Sequence, residues 1–450
     1  MKPFLLFCLA LSVSASQREI FAAEWTVTTQ KDWKAATAES SNLKFKNGRA
    51  TPTSDQATFS SSIKSFNQKI QPKSLTLRQI PDWNNWEAVP SVGPEDAKNA
   101  PVFLPVADGD YWYFGAKAGG PKGYHAWHST DMKSWAHHGP VTQSNWMTTA
   151  EYADGKFYLY YDQPNDEDPH LILDDDVTDG EFSDNDRGMV FSDPSPGSDA
   201  GIFRDDDGTF HLIYEDWTPI NAKENSWDSP LGGHASSPDG INGFEPHEHT
   251  PVIDERTEPT GEKGTYKHGP TGIREFEVHK PDQNAYGDYT LIKVGGQYYI
   301  FCDYDPHGEP MRVGQWTSDD INTEFTWAGD IGMGFHPDPT VGFAEGQFYL
   351  IVQRAQEDFI SPGPWVDTVE ARAGVDSDGD GTIDQWTDWQ EVRESYSQKP
   401  GFARVVETTP ATIDLSSLPE GQGFQFEFKV NDTTEGKAPP TIDQVILAFD

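Results

Sequence analysis

The sequence predicts an all-β protein: a five-bladed β-propeller with an accessory β-sandwich-like region formed by the N- and C-terminal segments. Three observations predict it. First, an Asp/Gly turn entering an aromatic-rich strand returns five times, at Asp108-Gly109 to Phe114, Asp154-Gly155 to Tyr161, Asp206-Asp207-Gly208 to Tyr214, Gly295-Gly296 to Phe301 and Glu345-Gly346 to Ile351. Second, each copy follows a short apolar strand, such as Val102-Phe103-Leu104, so each reads as a hairpin. Third, Gly and Pro, 40 and 33 residues, interrupt nearly every window that could hold an amphipathic helix. Five hairpins of one design in series are the mark of propeller blades.

The elements follow in chain order. Lys2 precedes an apolar run, Phe4 to Ala10, and small residues follow at Ala15 and Ala23, the pattern of a secretory signal peptide cleaved near either alanine. Residues 1–23 are read as this signal and 24–90 as an N-terminal β segment able to pair with the C-terminal region. Residues 91–365 are read as the propeller and 366–450 as a C-terminal β region, in which Gly423 to Val430 alternates as a strand does.

Composition narrows the function. Of 450 residues, 33 are Lys or Arg and 73 are Asp or Glu, a formal net charge of −40. Such a field repels nucleic acid. Aromatics at 13% argue against disorder. Loss of residues 1–23 removes Lys2, Arg18 and Glu19, net +1, and leaves −41. It also removes Cys8, so that Cys302 has no partner for an intramolecular disulfide. No later stretch is long and apolar enough to span a membrane. The expectation is an exported protein, periplasmic or extracellular, with a neutral or lightly charged partner.

In a propeller the residues just before each inner strand face the mouth of the central channel. Those entrances read Asp96 to Pro101, Trp146 to Tyr152, Asp199 to Phe203, Tyr266-Lys267-His268-Gly269-Pro270, and His336-Pro337-Asp338-Pro339. Acid, imidazole and aromatic groups thus converge on one ring. Cleavage of a glycosidic bond needs a proton donor at the leaving oxygen and a base or nucleophile opposite it.

On these residues the chain resembles the five-bladed propeller glycoside hydrolases of family 43 and the related family 117, the α-neoagarooligosaccharide hydrolase-like enzymes. The third-blade pattern Asp-Pro-Ser-Val-Phe followed by Asp-Asp-Asp-Gly is matched by Asp199-Ala200-Gly201-Ile202-Phe203 and Asp205-Asp206-Asp207-Gly208. The spacing from Trp146 to Tyr158 resembles the second blade. The resemblance covers about residues 95–360. It implies that Asp199 orients and tunes the proton donor. It also implies that the donor, Glu-Gly-Pro in the fourth blade of family 43, is His268, as a histidine acid is in family 117. The family's base is an Asp ahead of Pro in blade one, where this chain has Ala100; Asp96 and Asp338 are the alternatives. Trp146, His125 and Arg312 are candidates for substrate contact.

The resulting expectation is an exo-acting, inverting glycoside hydrolase, its two carboxyl or imidazole groups about 6.5–9.5 Å apart. Red-algal galactan oligosaccharides come first as substrate, then arabinosides or xylosides. A polysaccharide lyase using His268, Tyr266 and Arg274, or a non-catalytic sugar-binding propeller, is the alternative. Separately, Asp376, Asp378, Asp380 and Asp384 stand at positions 1, 3, 5 and 9 of a loop with Gly381 at 6, the spacing of a calcium loop without its final Glu. The expected cofactor is therefore structural calcium, with no organic cofactor.

Overall fold

The computed structural model describes residues 23–450 apart from 55, 84, 145, 164–167, 181, 193–198, 217–227, 248–249, 269–271, 281–283, 333, 335, 354–356, 365–367 and 432–440. Residues 1–22 of the expected signal segment lie outside the described residues.

Five antiparallel sheets form the blades, with inner strands Ala97–Ala107, Met147–Ala153, Gly201–Arg204, Ala285–Val294 and Thr340–Ala344. Each inner strand packs against the next, and Thr340–Ala344 returns to Ala97–Ala107, closing a ring. The hairpin glycines Gly109, Gly155, Gly208, Gly296 and Gly346 all have positive φ. At Asp154-Gly155 and Glu345-Gly346 both turn residues do, and the flanking pairs Ala153↔Lys156 and Ala344↔Gln347 leave two-residue loops. That is the turn whose twist matches a twisted hairpin. The inner strands are clamped to one another by threonine hydroxyls. Ile202 N–H donates to Thr149 Oγ1 (3.2 Å), Val341 N–H to Thr290 Oγ1 (3.3 Å) and Phe103 N–H to Thr340 Oγ1 (3.1 Å).

The chain ends make a two-sheet sandwich. One sheet joins Leu43–Lys46, Arg49–Pro52, Pro72–Ile80, Ala411–Asp414 and Thr441–Phe449; the other joins Thr37–Ser41, Gln56–Ser61, Thr368–Asp376 and Gly421–Asn431. Alternation explains the second: Phe424, Phe426, Phe428 and Val430 are all buried in one core, Phe426 and Phe428 packing on Phe59, Phe428 also on Trp33, and Phe424 on Phe66 and Phe449. Trp33 comes from the α-helix Gln30–Ala36, which starts with a reciprocal Thr29–Asp32 capping box.

The two ends also enter the propeller, which the boundaries 24–90 and 366–450 did not anticipate. Glu87–Pro90 is the outer strand of blade five, so a strand from before blade one fastens the last blade. Val405–Thr409 lies parallel to the inner strand of blade four. Just before it, Arg404 is 1% exposed. Its guanidinium donates to the carbonyls of Ala150 (2.6 Å) and Phe103 (2.9 Å), its own carbonyl accepts Lys293 N–H, and Glu151 lies 3.6 Å away. One side chain thus ties blades one and two to the strap on blade four. This end of the channel is called the floor below, and the ends where the inner strands begin are the mouth. No helix among the described residues is long and apolar enough to cross a membrane.

Candidate active site

The threonine clamps define equivalent positions in successive blades. Counting three residues back from Phe103, Ala150, Ile202, Leu291 and Val341 gives Ala100, Met147, Asp199, Asp288 and Asp338. Three consecutive blades therefore present an aspartate at the mouth. All three have left-handed backbones, with φ of 49°, 53° and 38°. Outside glycine that conformation costs of order 1–3 kcal/mol and persists only where surroundings impose it. Here the second strand of the preceding blade imposes it twice: Asp199 N–H donates to Asp162 Oδ2 (3.2 Å) and Asp338 N–H to Asp303 Oδ1 (2.8 Å).

Behind Asp288 lies a carboxyl pair, Glu215 and Asp228, both buried. Gly287 makes room for it, since a Cβ there would stand 2.1 Å from Glu215 Oε1. The mouth is therefore dense in acid. Loss of water contact, then the charges of Asp338, Asp199, Asp303 and Asp228, push the Asp288 carboxyl well above the usual range. Burial, with Asp338 and Asp228, does the same to Asp303. Burial, with Asp305 and Asp338, pushes Asp228 up to about 7. A carboxyl that keeps its proton near neutral pH is suited to donate it. One ligand atom each from Asp303, His336 and Asp338 lie within 4.8 Å of one another. That oxygen and imidazole set could hold a divalent cation.

Of the sequence candidates, Asp199 and Asp338 stand in the ring. Trp146, half-buried, precedes the ring residue of blade two. Asp96, His125 and Arg312 stand elsewhere. His268 ends Pro259–His268, which pairs with Gly272–His279 as a separate two-stranded hairpin, so blade four does not open on it. The entrance of blade four, expected at Tyr266 to Pro270, lies instead at the start of Ala285–Val294. The side chains of His268, Tyr266 and Arg274 lie outside the described residues. Asp96 is paired with Lys117 at the first pairing of its blade, four residues before the ring position. His125 is on the third strand of blade one, 1% exposed, bonded to His137 (3.0 Å) and facing the Pro121 carbonyl. It is thus buried two strands from the channel. Arg312 begins the third strand of blade four, engaged by Glu309 and 3.5 Å from Asp330.

Asp288, Asp303, Glu215 and Asp228 were missed. A signal for Asp288 exists. It stands eight residues before its hairpin glycine, Gly296, as Asp338 does before Gly346 and Met147 before Gly155. In the sandwich, Asp376, Asp378 and Asp384 bring donor atoms within 4.8 Å, while Asp380 is outside this group and caps Thr382 N–H.

A ring of carboxyl groups at a propeller mouth, one of them inclined to hold its proton, is the equipment of a hydrolase acting by proton donation and water activation. Residues 96–254, blades one to three, match the family model described as glycosyl hydrolases family 43, and the protein is a glycoside hydrolase. Among solved structures it is similar to an α-L-arabinofuranosidase from Clostridium thermocellum ATCC 27405 (16% identity, 64% of this chain and 93% of that one, TM-score 0.39). It is also similar to an endo-arabinase from Bacteroides thetaiotaomicron VPI-5482 (11%, 61% and 95%, 0.40). A third is an exo-β-1,3-galactanase from Phanerochaete chrysosporium (10%, 83% and 100%, 0.40). No curated protein matches the chain.

Proposed function

We propose that the protein is an exported, exo-acting, inverting glycoside hydrolase of neutral arabinose-, xylose- or galactose-containing glycans. Asp288 gives its carboxyl proton to the leaving glycosidic oxygen as the C1–O bond breaks. Asp338 takes a proton from the water whose oxygen attacks C1 from the opposite face. Asp199 orients and tunes Asp288, and Trp146 stacks on a sugar ring. Proton exchange with solvent restores both carboxyl groups. The supporting observation is the register: Asp288 occupies, in blade four, the place that Asp199 and Asp338 occupy in blades three and five. The family resemblance puts the proton donor in that same blade.

The red-algal expectation follows from a histidine donor and the family resemblance, and the His268 side chain lies outside the described residues. The net charge of −40 still favours neutral sugars. Chain-end action is supported by the hairpin Pro259–His279, inserted just before the mouth end of inner strand four. Calcium binding by Asp376, Asp378 and Asp384, and export by residues 1–23, belong to the same proposal; chelation and N-terminal sequencing of secreted protein test them.

The deciding experiment is reducing-end release from arabino-, xylo-, galacto- and red-algal oligosaccharides, with the product anomer read by NMR. Asp288→Asn should lower release from oligosaccharides about 10³-fold while sparing a glycosyl fluoride, whose leaving group needs no proton. Equal loss on both substrates would remove Asp288 as donor. Binding without product from any sugar would favour a non-catalytic propeller, which Ala100 permits.

A further inference from the structure

A second cleft, about 730 Å³, opens beside the ring on the mouth side of blade two. That volume is within the range of about 300–1,000 Å³ usual for small-ligand sites. Its walls are Gln143 and Ser144 from the connector between blades one and two, Tyr161 and His170 from blade two, Phe182 from the turn before its outer strand and Arg187 from that strand. The cleft and the ring share a strand end. Tyr161 is the chain neighbour of Asp162, whose carboxylate holds Asp199 N–H. Neighbours on a strand point to opposite faces, so Asp162 serves the ring while Tyr161 lines the cleft. Ser144 Oγ lies 3.1 Å from the Trp146 carbonyl and 3.3 Å from that of Asp162, tying the connector to the same point.

The lining matches a sugar. Tyr161 O–H donates to Asp186 Oδ2 (2.7 Å), and burial with that bond pushes the phenol upward, so the ring stays neutral. His170 Nδ1 is 3.0 Å from the Asp168 carbonyl. A carbonyl only accepts, so Nδ1 carries the hydrogen and Nε2 is left as an acceptor. The Gln143 amide and the Arg187 guanidinium add donors, and the Phe182 and Tyr161 rings add apolar surface. Neutral hydroxyls against mixed donors and acceptors, with ring carbons against aromatic surface, is the complementarity a saccharide offers.

We propose that this cleft binds the leaving-group side of an oligosaccharide, beyond the bond cut in the ring. The inference rests on the hydrolase reading above. The test compares kcat/KM for arabino-, xylo- and galacto-pentasaccharides with that for the 4-nitrophenyl monoglycoside of whichever sugar is cleaved. The double variant Gln143→Ala/Arg187→Ala, both exposed positions, should lower the pentasaccharide value about tenfold or more and leave the monoglycoside value unchanged. His170→Ala should act in the same direction. An unchanged ratio in both variants overturns the cleft while leaving the hydrolase reading intact. Should no sugar be cleaved, the hydrolase reading fails by itself, and calorimetric titration of the same pentasaccharides still decides. Binding lost in the double variant supports the cleft; binding retained, or absent in the wild type, overturns it.

Discussion

The two ends of the propeller channel handle charge in opposite ways. At the mouth carboxyl faces carboxyl: Asp288, Asp303 and Asp228 are all pushed upward by burial and by one another's neighbours. At the floor, three residues deeper and roughly 10 Å away along an extended strand, cation faces carboxyl. Arg404 meets Glu151, Lys293 meets Asp205 (2.7 Å) and Asp206 (2.8 Å), and Lys399 meets Asp206 (3.2 Å). Tyr298 O–H adds a bond to Asp205 Oδ2 (2.6 Å). The floor uses charge to hold blades and strap in one geometry. The mouth keeps like charges together, at a cost in stability, and so retains a transferable proton.

Substitutions should therefore separate the two ends. The largest effect is expected at the mouth: Asp288→Asn should lower kcat/KM on an oligosaccharide about 10³-fold, within the usual span for a lost general acid. Its melting temperature should stay level or rise, because one member of a repelling group is gone. A fall in both quantities would erase the contrast. Next is the floor. Arg404→Met leaves Glu151 buried without its cation and should cost about 3–5 kcal/mol of unfolding free energy. Activity per folded molecule should hold, and adding Glu151→Gln should recover part of the loss in a denaturant titration. Gly287→Ala comes third. Its Cβ would press on the Glu215 carboxylate, and about 1–3 kcal/mol of overpacking cost should appear together with reduced turnover.

The pH response should also differ in sign. Asp228 titrates near 7 in the folded protein against an ordinary 3.8, so its contribution is full below about pH 4 and is lost as pH rises toward 7. Asp206, bonded first of all by Lys293, is lowered to about 2, so its contribution is present above about pH 4 and is lost as pH falls toward 2. Melting curves from pH 3 to 8 should show Asp228→Asn flattening the neutral side and Lys293→Met flattening the acid side. The smallest effect is expected in the sandwich, where Asp384→Asn should lower the melting temperature by a few degrees, roughly the shift of 1 kcal/mol or less in a large domain, with the mouth's activity unchanged.

The blade hairpins were legible because each is local. Asp154-Gly155 and Glu345-Gly346 announce a two-residue turn, and the aromatics beyond them alternate with the pleat. Asp199 was legible for a similar reason, since its spacing to Gly208 is short and uninterrupted. Asp288 was hidden by length. The insertion before it carries His268-Gly269-Pro270, a better sequence match to a blade entrance than Gly287-Asp288-Tyr289. Only pairing shows that the insertion is its own hairpin. Glu215 and Asp228 were hidden for another reason: nothing in a local pattern marks a carboxyl that will be buried against a second carboxyl.

The sequence by itself determined the class of architecture, the five turns and the acid-rich character, and it offered Asp199 and, as an alternative to Asp96, Asp338, because these depend on residue type and short spacing. Tertiary structure decided which residue completes the ring, which strand closes blade five and what fills the floor. Glu87–Pro90 meets Glu357–Ser361, and Arg404 meets Phe103 and Ala150, across hundreds of residues. Such contacts are selected by chain closure and by the need to pair buried polar groups, neither of which leaves a periodic trace in the sequence.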